Sequence, residues 1–488
     1  MSDPTTSAIV PGARSTRRAP TSLRQAWPAL LGLSAVFLFE MLDNAILNVA
    51  LPTIGRDLHT TTTGLQWVTG SYAVVFGGSM LVFGAIADRF GRRRVMLVGL
   101  VLLAVTSLAT ALVGSTGELI AVRVVMGVAA AMTTPGSMAL AFRLFDRDDL
   151  RVRATTLIST VGLVGLAIGP TVGGFVLAVA PWQVLLLVNA PIAVLAIIGV
   201  RRGVAPDEPE ELHRAPIDVL GAALGTATIV LGLVAPTLFV DRGAQDGAPW
   251  AASLAALVAA ALFVLRERTA QHPLLDLALV ALPRVSSGLA FKAAAGLATA
   301  GLGYLVTLQF QLDWGWAPAL AALGMLPQVA VLVAGGPFVG RFVDRVGIDH
   351  AAWSSAAAVV AGLAVYGVLG RFGYPWVAAA LVLEAAGMRV VGVVAGVNVL
   401  RGLPSARTTI GAALVDTATE VASGVGLAVT GTVLAASAVG RLTAGGWTAA
   451  QTAGFREAVT TGSLVLTVVA AALVAWGIAR GRRAVPLG

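Results

Sequence analysis

The chain is 488 residues long, with 57% hydrophobic and only 12% charged residues, about half the charged share of a soluble protein. Its mean hydropathy is +0.86. These proportions exclude an ordinary soluble enzyme and a disordered chain, and at about 20 apolar residues per bilayer crossing there is room for a dozen or more spans. The net charge of +8 comes from arginines in short segments between apolar runs, which reads as membrane topology rather than nucleic-acid binding. No cysteine is present, so disulfides, thiolate metal sites and cysteine nucleophiles are excluded. His59, His213, His272 and His350 are scattered without metal-ligand spacing, and neither metal nor cofactor is expected. The one lysine, Lys292, follows Phe291, so no Gly-Lys-Ser/Thr phosphate loop exists. Any energised process here must draw on an ion gradient or another subunit.

Fourteen apolar runs follow one another, near 27–51, 67–87, 95–113, 118–140, 154–178, 183–200, 217–240, 249–265, 286–310, 320–340, 351–370, 375–400, 409–438 and 457–479. A basic tail (Arg14, Arg17, Arg18, Arg24) precedes the first run. That run is too long for a signal peptide and no cleavage site follows promptly, so it reads as a retained span. With the N-terminus cytoplasmic, inner segments hold 25 of the 33 Lys and Arg residues, outer loops hold five, and Arg123, Lys292 and Arg389 lie within spans. The asymmetry extends to Arg480, Arg482 and Arg483, which predicts an even number of spans and two cytoplasmic termini.

The chain also repeats. Gly84-Ala-Ile-Ala-Asp88-Arg89-Phe-Gly91 after the second run is echoed by Gly340-Arg-Phe-Val-Asp344-Arg345-Val-Gly347 after the tenth, and Arg123-Val-Val in run four by Arg389-Val-Val in run twelve. Internal duplication of a span bundle marks transporters. The expected organisation is a cytoplasmic tail (1–26), a six-helix bundle (27–200), a linker with two extra spans (201–285), a second six-helix bundle (286–479) and a short cytoplasmic tail (480–488).

Four stretches carry a more specific pattern. Gly84 to Arg94 reads GAIADRFGRRR, with glycines for a tight interhelical turn, an acid able to accept hydrogen bonds, and arginines that hold the loop inside. Met41 to Pro52 contains Asp43 and Asn48. Gly162 to Gly174 places Gly165, Gly169, Pro170, Gly173 and Gly174 in one run, and Trp182 to Pro191 contains Asn189-Ala-Pro191. In this order the four resemble the loop, first-span, antiporter and sixth-span motifs of the fourteen-span drug:proton antiporters of the major facilitator superfamily, over nearly the whole chain.

The resemblance implies an all-α membrane protein of the major facilitator fold, with two six-helix bundles, two extra central spans and fourteen transmembrane helices. It implies proton-coupled efflux of drugs or antibiotics by alternating access in the bacterial cytoplasmic membrane, not enzyme activity. Gly84, Asp88, Arg89, Gly91 and Arg92, echoed by Asp344 and Arg345, are then the expected gating residues. The span-five glycines and Pro170 permit close helix approach and bending. The bland alternatives are a topology anchor and generic membrane packing.

Asp43 is the leading proton-coupling candidate, because an ionised carboxylate at the bilayer centre costs about 2.5–3.5 kcal/mol on insertion scales and binding a proton removes the charge. Glu40 lies three residues earlier on the same helix face. Arg123 stands where the family's span-four motif has its arginine, although Met126 replaces the usual glutamine and so removes a hydrogen-bond relay at that position; Arg123 tunes the pKa of a nearby acid, relays protons or simply partners a carboxylate. In the second half, Asp416 and Glu420 share a face of span thirteen and join the candidates for coupling, the alternative being cavity-facing acids without coupling. Arg389 is expected to pair with Glu420 or Asp416, while Glu384 and Lys292 are further intramembrane charges. The spans hold two more acids than bases (Glu40, Asp43, Glu384, Asp416 and Glu420 against Arg123, Lys292 and Arg389), which favours a cationic or amphipathic small-molecule substrate. Trp67, Tyr72, Phe76, Tyr304, Phe310 and Trp314 line a cavity or anchor the interface. The expected partners are that substrate, protons and the lipid bilayer, with no nucleic acid, and the expected state is a monomer. The competing reading is a lipid flippase or proton symporter on the same scaffold.

Overall fold

A computed structural model describes residues 20–207, 218–243, 245–271, 273–403, 408–436 and 448–483. Arg14, Arg17, Arg18, Arg214, Arg407 and Arg441, which enter the topology argument, lie outside them, as do most of the N-terminal tail and the last residues of the C-terminal one. Every regular element among the described residues is helical. In chain order the helices are α1 (Trp27–Asp57), α2 (Thr62–Phe90), α3 (Arg92–Ala109), α4 (Thr116–Arg143), α5 (Asp148–Val179), α6 (Gln183–Leu187), α7 (Asn189–Gly203), α8 (Val219–Arg242) and α9 (Gly247–Thr269). They continue with α10 (Leu277–Ala281), α11 (Pro283–Leu308), α12 (Pro318–Gly324), α13 (Leu326–Ala334), α14 (Gly336–Val346), α15 (Ile348–Leu369), α16 (Tyr374–Arg401), α17 (Thr408–Ala436) and α18 (Ala449–Arg482).

Local chemistry sets many of the boundaries. Thr61 caps α2 by accepting from the Gly64 N–H at 3.1 Å, and Ser115 caps α4 by accepting from Glu118 N–H at 3.3 Å. Thr448 and Gln451 form a reciprocal capping box at the start of α18, satisfying N–H groups that a helix start leaves free. Gly91 separates α2 from α3 at φ 105°, a conformation that a residue with a Cβ resists.

Twelve helices are long and apolar enough to cross a membrane, or up to fourteen if two bent pairs each count as one span. The tenth apolar run, expected as one span, is broken: α13 and the body of α14 meet at 70° beside Gly335–Gly336. Likewise α2 bends by 49° near residue 81. Run six divides at Val188 into α6 and α7, which places Asn189 at a helix start. Apolar side chains such as Val101, Val105 and Leu108 of α3 and Leu254 and Leu257 of α9 are exposed, as on a surface that meets lipid.

Two groups of helices emerge from the packing. In one, α1 packs on α5 and α7, and α4 on α2 and α3; in the other, α11 packs on α16, α17 and α18, and α15 on α16 and α18. The groups meet where α5 touches α12 and α13, where α2 touches α17, and where α1 touches α11. Between them α8 pairs with α9 and lies against both α2 and α17.

Several close contacts between the groups gather at one end, formed by the C-terminal parts of α1, α5 and α11. There the Gln311 amide donates to the Val49 carbonyl at 2.9 Å, from a π-helical turn at Gln309–Asp313. A Cβ added to Gly174 would lie 2.5 Å from the Pro318 carbonyl oxygen. Gln66 donates to Thr237 Oγ1 at 3.0 Å, the Ala428 carbonyl at 3.3 Å and Thr432 Oγ1 at 3.3 Å, tying α2, α8 and α17 together. Toward the opposite end, a Cβ on Gly84 or Gly340 would meet nothing within 4 Å.

Candidate transport site

The first set of candidates converges around α1. Asp43 is 1% exposed; its Oδ2 lies 2.5 Å from Arg123 Nη1 of α4, and its Oδ1 accepts from the Asn189 amide of α7 at 2.6 Å. Arg123 also donates to the Val68 carbonyl at 3.3 Å, and its guanidinium stands over the Tyr72 ring at 4.3 Å. The two charges therefore cancel inside a sealed shell. A buried pair of this kind is retained because removing one member strands the other, at a cost of about 3–5 kcal/mol. Arg123 Nη2 has no hydrogen-bond partner among the described residues.

Glu40 is equally buried but points in another direction. It accepts from Thr134 Oγ1 of α4 at 2.9 Å, and its charged neighbours are Glu420 and Asp416 of α17, in the other helix group. Asp43 and Glu40 lie one turn apart on α1. Arg123 and Asn189 hold Asp43 inside its own helix group, whereas Glu40 faces the seam between the groups. On the far side Lys292 of α11 has the same two acids as its charged neighbours.

The expected Arg389–Glu420 pair is not formed. Arg389 lies against the break between α13 and α14: a Cβ on Gly336 would lie 2.6 Å from its Nη2, and its Nε has no hydrogen-bond partner among the described residues. The side chain stands in the space beside Gly335 and Gly336, away from Glu420. No Arg389–Asp416 pair forms either. Glu384 is fully buried and accepts from Gln328 at 3.2 Å and from Thr299, neutral donors on α13 and α11.

The two copies of the loop motif differ. Asp88 accepts from Arg92 Nε at 2.7 Å across one turn. Asp344 and Arg345 are exposed, and Ile348 stands four residues after Asp344 where the first copy has its arginine. Asp207, in the link after α7, closes the first copy: it accepts from the backbone N–H groups of Arg93 at 3.1 Å and Arg94 at 3.4 Å, and from Arg143 at 3.3 Å. This carboxylate neutralises the amide end of α3.

The antiporter glycines lie along two contacts. Cβ atoms on Gly165 and Gly169 would approach Leu38 and Ala45 of α1, at 2.8 and 2.5 Å, whereas Gly174 faces Pro318 and Ala322 of α12. One helix thus presses on the face of α1 that carries Leu38, Leu42 and Ala45, away from Glu40 and Asp43, and also on the other group. Pro170 lies within it. Tyr72, Phe76, Tyr304 and Phe310 are fully buried packing residues, with Phe310 stacked on Trp316 at 4.7 Å.

Sequence reasoning did not assign Asn189, Thr134, Asp207 or Gln66. Asn189 belongs to a quoted motif, and an amide at the start of an apolar run was its available signal; the others have none in the sequence.

Residues 33–427 match the Major Facilitator Superfamily, and the chain belongs to that superfamily. It is a multi-pass membrane transporter. Its relatives are drug and antibiotic exporters. The multidrug efflux pump LfrA of Mycolicibacterium smegmatis is 30% identical over 439 residues, covering 88% of this chain and 84% of that one. The cephamycin export protein CmcT of Amycolatopsis lactamdurans is 33% identical, covering 69% and 70%. Among solved structures, a bacterial homolog of the lysosomal transporter Spinster superimposes with a TM-score of 0.64 at 16% identity, covering 94% of this chain and 98% of that one. The nucleoside transporter NupG gives 0.61 at 13% identity, covering 93% and 99%; both likenesses concern the fold.

Proposed function

We propose that this transporter exports amphipathic small molecules, drugs or antibiotics, across the bacterial cytoplasmic membrane in exchange for protons. The observation that carries the reading is Glu40, buried on α1 and hydrogen-bonded to Thr134 of α4, a helix that touches α17, the helix of Asp416 and Glu420 in the other group. Carboxylates at a seam that opens and closes can bind a proton or a substrate cation, and the exclusive choice couples the two fluxes. Asp43 is the companion proton site, with Arg123 as the cation that occupies it between protonations.

In this reading the chain has fourteen spans and two cytoplasmic termini, with bundles at 27–200 and 286–479 and the extra pair within 201–285. The end closed by Gln311, Gly174 and Gln66 is then the outer end, and the loop motif with Asp88, Arg89 and Arg92 is the inner latch. In this reading the carrier is open to the cytoplasm, and alternating access is a rocking about the α5–α12 and α1–α11 contacts between the groups. The protein works as a monomer.

The test uses inside-out vesicles under an imposed proton gradient. Adding lipophilic cations and neutral antibiotics should evoke proton release with the natural chain and none with Asp43→Asn. Release unchanged in the variant removes Asp43 from coupling. Lipid scrambling or proton-coupled uptake without any substrate-evoked release would instead establish the flippase or symporter alternative.

A further inference from the structure

Lys292 has no part in the coupling scheme above, yet it is the chain's only lysine and stands at the seam. Its position follows from helix packing. A Cβ on Gly296 would lie 2.6 Å from the Thr419 carbonyl oxygen, and one on Gly426 would lie 2.5 Å from that of Leu297. Ser423 Oγ donates to the Gly296 carbonyl at 3.2 Å. These contacts advance together along α11 and α17, so Lys292, one turn before Gly296, comes level with Asp416, one turn before Glu420.

The three groups face one another without joining. Among the described residues Lys292 donates no hydrogen bond, Asp416 and Glu420 accept none, and no ion pair forms between them, although Glu420 is only 8% exposed. The Glu420 oxygens are not among the buried polar atoms left without a partner, so they keep accessible surface at the seam, where a ligand's cation can reach them. The surrounding charges are Glu40, Asp416 and Glu420 against Lys292, since Asp43 and Arg123 cancel within their own shell.

We propose that Lys292 is a resident counter-cation of the Asp416–Glu420 site, and that the site's ligand is an amphiphile bearing one compact positive group, an amine or onium, which competes with the lysine for the same two carboxylates. This names the substrate class of the exporter site and rests on that reading. An anionic headgroup attracted to Lys292 would meet three carboxylates around one ammonium, so the arrangement rejects it. The lysine weakens capture of the cation and thereby permits its release, as an internal competitor does.

The experiment measures equilibrium binding of radiolabelled tetraphenylphosphonium, and separately of tetraphenylborate, to the full chain in lipid nanodiscs. Lys292→Gln should tighten phosphonium binding about tenfold or more, a shift in the range that one close charge produces. Lys292→Arg should restore the natural affinity, and Glu420→Gln should weaken it. Phosphonium affinity unchanged or lowered in Lys292→Gln, binding by neither protein, or borate binding that Lys292→Gln abolishes would each overturn the proposal. So would Lys292→Arg behaving like Lys292→Gln, because retained charge is the point. The affinity ratio is read without transport. A tenfold ratio with no export in vesicles keeps this assignment and sinks the exporter reading, and a ratio of one with export does the reverse.

Discussion

Arg123 and Asp43 approach to 2.5 Å with both side chains wholly removed from solvent. A double-mutant cycle on thermal stability in detergent should reveal the pairing directly. Arg123→Gln and Asp43→Asn should each destabilise by about 3–5 kcal/mol, and the double variant by clearly less than their sum. Additive losses would mean that the two groups do not interact.

Gln66 makes three hydrogen bonds that join α2, α8 and α17. Gln66→Leu removes all three, and a net loss of about 1–2 kcal/mol should move the equilibrium between carrier conformations roughly tenfold toward opening at that end. The chain lacks cysteine, so spin labels at Val179→Cys and Leu320→Cys report this cleanly. The expected result is a longer-distance population that grows in Gln66→Leu; an unchanged distribution would show that the tie does not govern closure.

The glycines of α5 should differ in tolerance. Gly174→Val inserts atoms where 2.5 Å separates a Cβ from the Pro318 carbonyl, whereas the nearest atom to a Cβ on Gly173 is 3.6 Å away. Gly174→Val should abolish efflux by propping the groups apart, and Gly173→Ala should retain at least half the natural rate. Gly84→Ala, with open space around it, should leave thermal stability within about 0.5 kcal/mol and act only on transport. Vesicle efflux and melting curves separate these outcomes.

Asp207 caps the amide end of α3 from a segment more than a hundred residues away. Asp207→Ala should cost about 1–2 kcal/mol, the scale of a lost helix cap, and Asp207→Asn less. Equal stability of all three proteins would show that the link contributes nothing to α3.

Asp218 offers a pH test outside the spans. Burial pushes its carboxyl up, but the Arg266 hydrogen bonds and the Gly221 N–H outweigh this and hold it below the usual carboxylate range. Its contribution is therefore complete above the ordinary value of about 3.9 and fades as pH falls toward the depressed one. Asp218→Asn should be less stable than the natural chain at pH 6, and the gap should close as pH falls through the depressed carboxyl value. A gap independent of pH would exclude the carboxylate as its cause.

The helical spans were legible because apolar length and arginine spacing are properties of the chain itself. The division of run ten was not read, although Gly335-Gly336-Pro337 is a breaker sequence; its apolar residues continue through the break, and Arg389 occupies the space beside the two glycines. The same displacement explains why a pairing inferred from two neighbouring spans did not form. Helical spacing correctly put Asp416 and Glu420 on one face, but nothing in the spacing says which of three basic residues stands opposite. Arg123 is recognisable by its motif, whereas Thr134 and Gln66 are ordinary polar residues whose meaning comes only from the helices packed against them.

The position of α8 bears on how cargo reaches the interior. Because this helix runs along the crevice between α2 and α17, from Thr226 beside Gly78 to Thr237 beside Gln66, it fills a side opening through which an amphiphile in the surrounding leaflet would otherwise pass. The extra pair thus acts as a fence. On the export reading proposed above, compounds are expected to enter from the aqueous side or through the opposite crevice, and a chain lacking α8 and α9 is expected to let lipid tails into the crevice between α2 and α17.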